Sequence, residues 1–521
     1  MALPVWEPSA ERVERANLSR FIKFARTETG NVDLIGHHSL YHWSTADPDR
    51  FWTLVWDFCG IRAQGERTPV LVDADRIESA RWFPNVRLNF AQNLLRYNDE
   101  KPAIVFRSEG GVRRELSYAE LNAEVAQFAA ALAAAGVGVG DRVAGLLPNV
   151  PEAAIAMLAT AALGATWSSC SPDLGADAVI ARFAQLEPKV LVSVARYAFG
   201  GRSVDCMGKL ANIATRIESL ARVVVVPYLD PDPALGQVRT GVTWTAFVSK
   251  FVGARPAFTA VPFDQPLYIL FAPAAEGTPT GIVHGVGGIL LQHLKELVLH
   301  IDVRREDRVF YYTTSGFLMW NWLMSALAVG ATLVLFDGSP SYPHAGVLFD
   351  LADECEVSVF GTTARWLDSV ERAGLRPIVS HKLLELRSLL LAGTMPTPAN
   401  YDYVYRDIKH GVLLATLAIS PDTLSCTALG SPLLPVYRGE IQCRGLGLRV
   451  ETVDHSGDSV RDEPGALVYT APFPSMAIGL WGDRDGSRRH AAWFKRIPGA
   501  WCTGERAMLT ANDGVVPLAR G

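Results

Sequence analysis

The sequence predicts an α/β fold built on parallel sheets, with a smaller β-rich part at its C-terminal end. Short apolar runs rich in Val, Ile and Leu alternate with segments of helical period from about residue 103 to about 418. Those helical segments carry start and stop signals at their ends. After Pro435 the texture changes to short β segments separated by turn residues. Strands that alternate with helices imply a sheet covered on both faces, with ligands bound at the carboxyl ends of its strands.

Residues 1–100 read as a helical preface rich in aromatic residues. HHSLYHWSTADPDRFWTLVWDFCGI places Ser44 or Thr45 as the cap of a helix through Phe51, Val55 and Phe58. WFPNVRLNFAQNLLRY follows, punctuated at Pro84 and Asn85, with helical spacing at Phe90, Leu94 and Leu95. The α/β core is placed at 101–434. It opens with a strand at 104–106 and a helix whose N-cap is Ser117, with Glu120 completing a capping box. That helix is expected to bury Leu121, Val125, Phe128 and Leu132, and the glycines of GVGVGD end it. A strand from Val143 to Leu147, a helix with Pro151 in its first turn, and strands at TWSSC, 190–194 and 223–226 continue the series. YILF, VFYYT, TLVLF, VSVF, SLLL and VLLAT extend it, and residues 435–521 form the β-rich part.

The bulk numbers exclude several classes. With 49% hydrophobic and 20% charged residues the chain is globular, and a net charge of -5 leaves no electrostatic footprint for nucleic acid or an anionic membrane. The N-terminus has no apolar signal core, and the most apolar helical stretch, Ala153 to Thr166, is too short to span a bilayer. Seven cysteines without CxxC or Cys/His metal spacing predict reduced thiols in a cytoplasmic protein, with no zinc or disulfide framework.

The stretch from Leu267 to Gly288, LYILFAPAAEGTPTGIVHGVGG, has the outline of a phosphate-binding turn: a buried strand, a small-residue loop, then His284 and more glycines. The usual chemistry of such a turn is missing. Ala272, Pro273, Ala274, Ala275 and Glu276 stand where free N–H groups and hydroxyls would meet an anion, and Thr280 stands where a lysine would help.

Beyond that loop, long strings place the chain in a known group. WSTADPDRFW, RWFPNVRLNFAQNLL, WSSCSPDLGA, RFAQLEPKVLVSV, LLQHLKE, MWNWLMSALAVGATLVLFDGSP, YVYRDIK, PVYRGEIQCRGLG and PFPSMAIG run across nearly all of it. On these strings the sequence resembles the adenylate-forming superfamily of acyl-CoA synthetases, and within it the acetoacetyl-CoA synthetase family. The resemblance implies that superfamily's N-terminal fold, stacked parallel α/β subdomains plus a smaller β-rich subdomain. It also implies a two-step reaction in which ATP and a carboxylic acid give an acyl-adenylate and pyrophosphate, and the acyl group passes to CoA.

Against that pattern the sequence departs at the positions that handle ATP. Of the family's Ser/Thr/Gly-rich loop ending in Pro-Lys, Gly277 and Pro279 survive. The Gly-Gly-Thr-Asp-type turn reads AISPDTL (418–424), with Pro421 at the hydroxyl position and Asp422 retained. The ribose-binding aspartate of Trp-Cys-x-Gly-Asp is Glu505, in WCTGERA. Arg520 aligns just before the family's hinge, so the C-terminal domain with its catalytic lysine is expected to be absent. Degenerate ATP motifs then predict an ATP-independent protein that reuses the cleft on an acyl, β-keto or acyl-thioester-derived small molecule, in specialised biosynthesis. ATP and Mg²⁺ are not expected as cofactors, and a CoA thioester is possible. The alternatives are a non-catalytic protein that binds a ligand or partner, and a residual acetoacetate or short-chain acid–CoA ligase.

The candidate catalytic groups are Glu276, His284, Asp422 and Glu505, with no metal ligands. His284 reads either as a near-neutral acid–base group or as a turn-shaping hydrogen-bond partner of the backbone. Glu276 reads either as a base raised by clustered carboxylates or as a solvated loop residue. Trp320, Asn321 and Trp322 line the acyl pocket by resemblance, or pack the core. Gly393 and Thr394 correspond to the adenine-side turn. Phe271, Gly285, Gly288 and Pro421 complete the expected pocket. Cys170, Cys426 and Cys502 read as buried, inert thiols.

Overall fold

The protein is described here by a computed structural model over residues 3–272 and 277–518. Two large sheets organise it. The first runs, edge to edge, through Gly241–Thr243, Arg222–Val226, Val190–Val194, Arg142–Leu146, Thr166–Cys170, Pro266–Ala272, Thr280–Gly285 and Gly479–Leu480. It is parallel as far as Pro266–Ala272 and antiparallel in its last two pairings. The second runs through Cys443–Arg444, Ser425–Leu429, Leu413–Ser420, Ser388–Ala392, Val359–Thr362, Arg308–Tyr311, Thr332–Asp337, Pro102–Ser108 and Arg113–Ser117. Its five central pairings are parallel, and its edges are closed by antiparallel strands.

Purely apolar strands such as Val190–Val194 are buried along their whole length, as strands covered on both faces must be. The helix Pro151–Ala162 buries every residue except Glu152 and packs on Tyr118–Ala134. The latter begins at the Ser117/Glu120 capping box, in which the Ser117 hydroxyl accepts from Glu120 N at 3.1 Å and the Glu120 carboxylate accepts from Ser117 N at 2.8 Å. A separate antiparallel sheet, Val450–Val453, Gly465–Tyr469, Arg506–Leu509 and Val515–Leu518, forms the β-rich C-terminal part.

Within residues 1–100, the helices Ala10–Arg15, Asn17–Thr29, His37–Ala46 and Pro48–Cys59 are followed by the short strands Ala63–Gln64, Leu71–Val72, Arg81–Trp82 and Arg87–Leu88 and the helix Phe90–Leu94. One expectation is corrected there. Ser44 and Thr45 do not cap a helix but lie inside His37–Ala46; the next helix is capped by Asp47, which accepts from Arg50 N, with Pro48 in its first turn. Edge-on contacts of Phe21 with Phe51 and Phe58 join these helices, and Asn17 N donates to Asp302 at 2.7 Å to tie them to the body. Among the described residues, no helix is long and apolar enough to cross a membrane.

Two features of this fold position the site. Ser388–Ala392 and Leu413–Ser420 are neighbouring parallel strands with Ala392 opposite Leu417, so Gly393 emerges beside Ala418 while the second strand runs on to the turn at Pro421 and Asp422. The helix Val286–Leu294 starts directly from the strand Thr280–Gly285 and continues into a π-helical turn, Lys295–His300, beneath them.

Candidate functional site

Strand Pro266–Ala272 is paired antiparallel with Thr280–Gly285, Tyr268 opposite His284 and Phe271 opposite Gly281. The stretch read as a phosphate turn is therefore a β-hairpin that leads straight into a helix. Residues 273–276, Glu276 among them, lie outside the described residues, as does Arg520. The glycines that follow His284 are packing residues. A Cβ on Gly287 would come within 2.1 Å of the Phe263 ring, and one on Gly288 within 2.0 Å of the Pro474 carbonyl. Both glycines are buried in a helix, and only a hydrogen atom fits between that helix and its neighbours.

His284 is fully buried. Its Nε2–H donates to the Pro421 carbonyl at 3.0 Å, which fixes the tautomer because a carbonyl can only accept. Burial lowers its pKa to about 3, outweighing the hydrogen bond to Pro421, so the ring is neutral near pH 7. The turn-shaping reading of His284 is the one the geometry matches.

A second histidine, not singled out from the sequence, does the same for the other end of the turn. His293 donates through Nε2 to the Leu424 carbonyl at 2.7 Å while Nδ1 accepts from the Ser325 hydroxyl at 2.7 Å. Trp493 donates to Asp422 Oδ1 at 2.9 Å, and the Ser420 hydroxyl donates to Oδ2 at 3.1 Å. The turn from Ser420 to Leu424, with Leu424 at a left-handed φ of 45°, is thus held from three sides. One signal for His293 was present: Gln292, His293, Lys295 and Glu296 interrupt an otherwise apolar helix, and a polar run buried in a helix must find partners.

Glu296 is the hub of that run. It is fully buried and accepts from Trp322 Nε1 at 2.8 Å, Cys426 N at 2.8 Å and Gln292 Nε2 at 3.1 Å. Trp320 donates to Asn149 Oδ1 at 3.0 Å. Trp320, Asn321 and Trp322 are each 1% exposed or less. The indole N–H groups of both tryptophans are engaged inside the protein, and Asn321 between them is buried with no hydrogen-bond partner on either amide atom among the described residues. Cys170, Cys426 and Cys502 are free and buried, and burial pushes the Cys170 thiol up to about 12.

Gly393, Thr394 and Glu505 do meet. They line a cavity of about 180 Å³ with Thr416, Thr427 and Arg506, across an apolar strip of Ala418, Ile419, Ala428, Ile441 and Leu467. Gly393 has a φ of 93°, open to glycine without strain. Glu505 is half-buried and lies near the Tyr469 phenol, which also touches Thr427. Gly285 and Gly288 line a different cavity, of about 390 Å³, with Arg81, Asp264, Pro474 and Arg489. Phe271 is half-buried and packs on the apolar cluster behind the first sheet. Of the expected site residues, Gly393, Thr394 and Glu505 line one cavity and Gly285 and Gly288 another, while His284, Pro421 and Asp422 meet outside both, at the hairpin and turn.

This arrangement suits an adenosine group. An apolar strip accepts a flat base, and a carboxylate and threonine hydroxyls can meet sugar hydroxyls. Each oxygen of Asp422 accepts one hydrogen bond and keeps a lone pair, as a cation ligand requires.

Comparison with known proteins agrees with the geometry. Residues 90–480 match the AMP-binding enzyme family, and residues 37–94 match the acetyl-coenzyme A synthetase N-terminus. The acetoacetyl-coenzyme A synthetase of Rhizobium meliloti is 44% identical over 98% of this chain and 78% of its own length. A malonamoyl-CoA synthetase of Penicillium aethiopicum is 32% identical over 92% of this chain and 69% of its own. The acetoacetyl-CoA synthetase structure from Streptomyces lividans superposes with a TM-score of 0.95 at 36% identity, over 99% of this chain and 80% of that one.

These matches overturn the expectation of lost adenylation. The relatives whose names describe CoA ligases align along nearly all of this chain, so the expectation of an ATP-independent protein is corrected, and with it the exclusion of ATP and Mg²⁺. The physical reason is visible at two of the three departures. At Pro421 the turn is shaped through its carbonyl, which proline retains, and Glu505 keeps a carboxylate at the cavity. The chain is an acetoacetyl-CoA-synthetase-like member of the AMP-binding enzyme family.

Proposed function

We propose that the protein is an ATP-dependent acid–thiol ligase that activates acetoacetate, or a closely related short acid with a carbonyl β to its carboxylate, and delivers it to CoA. The observation that carries this reading is the 44% identity to an acetoacetyl-coenzyme A synthetase over 98% of the chain. The name of the malonamoyl-CoA synthetase adds a second β-carbonyl acid to the class.

In this reading ATP enters as its magnesium complex. Gly393 and Thr394 would border the base, Glu505 would accept from the ribose hydroxyls, and Asp422, held by Trp493 and Ser420, would supply a carboxylate oxygen to the metal. The catalytic contribution is positioning and charge stabilisation, since phosphoryl and acyl transfer ask little covalent chemistry of the protein. His284 and His293 act through the turn they hold. The ligand is a small acyl or acyl-thioester molecule, nucleic acid and membrane are not partners, and the compartment is the cytoplasm.

The test is formation of acetoacetyl-CoA from acetoacetate, ATP·Mg²⁺ and CoA, followed by thioester absorbance. Product that depends on all three supports the reading. Full turnover without ATP, or with acids lacking the β-carbonyl in preference to acetoacetate, contradicts it.

A further inference from the structure

Spacing along the sequence shows no metal motif, but the fold brings three separated ligand-type residues together. His37 opens the helix His37–Ala46, His300 ends the π-helical turn Lys295–His300, and Cys443 lies in the edge strand Cys443–Arg444. Their ligand atoms all lie within 4.8 Å of one another, and the residues are 5%, 0% and 2% exposed. We propose that His37, His300 and Cys443 form a buried site for Zn²⁺ that ties the N-terminal helices to the body.

The strongest support is an unmet need. Both ring nitrogens of His37 are buried without any hydrogen-bond partner among the described residues, a state that folded proteins rarely leave uncompensated. Burial lowers the His37 pKa to about 3, so the ring is neutral and offers a lone pair. His300 is already oriented as a ligand: its Nδ1–H donates to the Gly430 carbonyl at 3.0 Å, which leaves Nε2 as the lone-pair nitrogen. That nitrogen accepts from Leu446 N at 3.2 Å, and this is the contact an ion would replace. Cys443 makes only weak contacts through its sulfur, 3.3 Å from the Leu429 carbonyl and 3.9 Å from that of Gly430.

The surroundings do not oppose a cation as their residue types suggest. Lys295 is fully buried, and its Nζ lies 3.8 Å from the buried Glu296 carboxylate, which balances its charge. The Arg444 charge is shared with Glu451 at 3.5 Å and Asp513 at 3.4 Å. Two imidazoles and one thiolate are a borderline-soft donor set, which favours Zn²⁺ over Mg²⁺ or Ca²⁺. Binding forms two N–Zn bonds and one S–Zn bond and releases the Cys443 thiol proton to solvent. Bringing the ligand atoms to bonding distance, about 2.0–2.3 Å from the ion, needs small side-chain rotations.

The probe is the metal alone, added to the chelator-treated protein. Co²⁺ is expected to bind at one equivalent with a thiolate-to-cobalt charge-transfer band, and one equivalent of Zn²⁺ is expected to abolish that band and raise the melting temperature. Cys443→Ser should remove the band. His37→Gln should weaken the affinity at least about tenfold, as loss of a ligand or its support does. His38→Gln, at the exposed neighbour bound to Asp513 at 3.3 Å, should leave both unchanged. Wild-type protein that takes up no stoichiometric Co²⁺, or a charge-transfer band that survives either ligand substitution, overturns the proposal. If Cys443→Ser fails to fold, the wild-type stoichiometry and the His37→Gln affinity decide it.

Discussion

His284 and Pro421 are 137 residues apart in sequence, and the imidazole of one donates to the carbonyl of the other at 3.0 Å. This single bond joins the hairpin that opens the candidate site to the turn that carries Asp422. Replacing His284 by alanine removes the donor and leaves a buried carbonyl unpaired, at a cost of about 1–3 kcal/mol. Because the turn would loosen without touching substrate directly, acetoacetate-dependent kcat is expected to fall about tenfold or more, with a smaller change in KM for ATP. Steady-state kinetics on His284→Ala and His284→Gln check this, glutamine retaining a donor and recovering part of the loss.

The same residue sets a pH dependence. Its pKa is about 3 in the fold against 6.5 for a free imidazole, so between those values the unfolded chain binds the extra proton. The stability tied to neutral His284 is therefore complete above about pH 6.5 and is lost as pH falls toward 3. The loss is on the order of a few kcal/mol. Thermal unfolding from pH 7 to pH 4 should show the decline, and His284→Gln should flatten its share of it.

Gly288 is expected to tolerate no side chain. The Cβ of Gly288→Ala would sit 2.0 Å from the Pro474 carbonyl oxygen and 2.8 Å from its carbon, and backbone cannot swing aside as a flexible side chain does. Overpacking of this kind costs about 1–3 kcal/mol or more. A lower melting temperature with Gly288→Ala, against little change for Gly411→Ala, where a Cβ meets nothing within 4 Å, is the expected result.

Glu505 separates nucleotide binding from acid binding. Glu505→Gln keeps the shape but removes the charge that would accept from ribose hydroxyls, so KM for ATP should rise about tenfold while KM for acetoacetate changes little. Glu505→Asp should sit between the two. Equal rises in both Michaelis constants would place Glu505 outside the nucleotide cavity.

What could be read in the sequence was what is local. The parallel strands at 190–194 and 223–226 and the Ser117/Glu120 cap depend on neighbours a few residues away, and their residue patterns carry that information. The cap at Ser44 or Thr45 was misplaced because several hydroxyl residues precede that helix, whereas Asp47 followed by Pro48 is the stronger pair. The reason for glycine at 287 and 288 is Phe263 and Pro474, which only the fold brings near. Long-range bonds such as those of His284, of His293 to Leu424 and of Trp322 to Glu296 leave no periodic trace. The change of function inferred from Pro421 and Glu505 failed for a related reason, since the carbonyl of one and the carboxylate of the other persist in the turn and cavity.

Exchange of pyrophosphate into ATP, driven by acetoacetate in the presence of Mg²⁺ and without CoA, tests the central claim most directly. It isolates formation of the acyl-adenylate. The account predicts exchange that requires acetoacetate and falls when His284 or Glu505 is replaced. Absence of acetoacetate-dependent exchange in correctly folded wild-type protein, or exchange indifferent to the acid supplied, would contradict it.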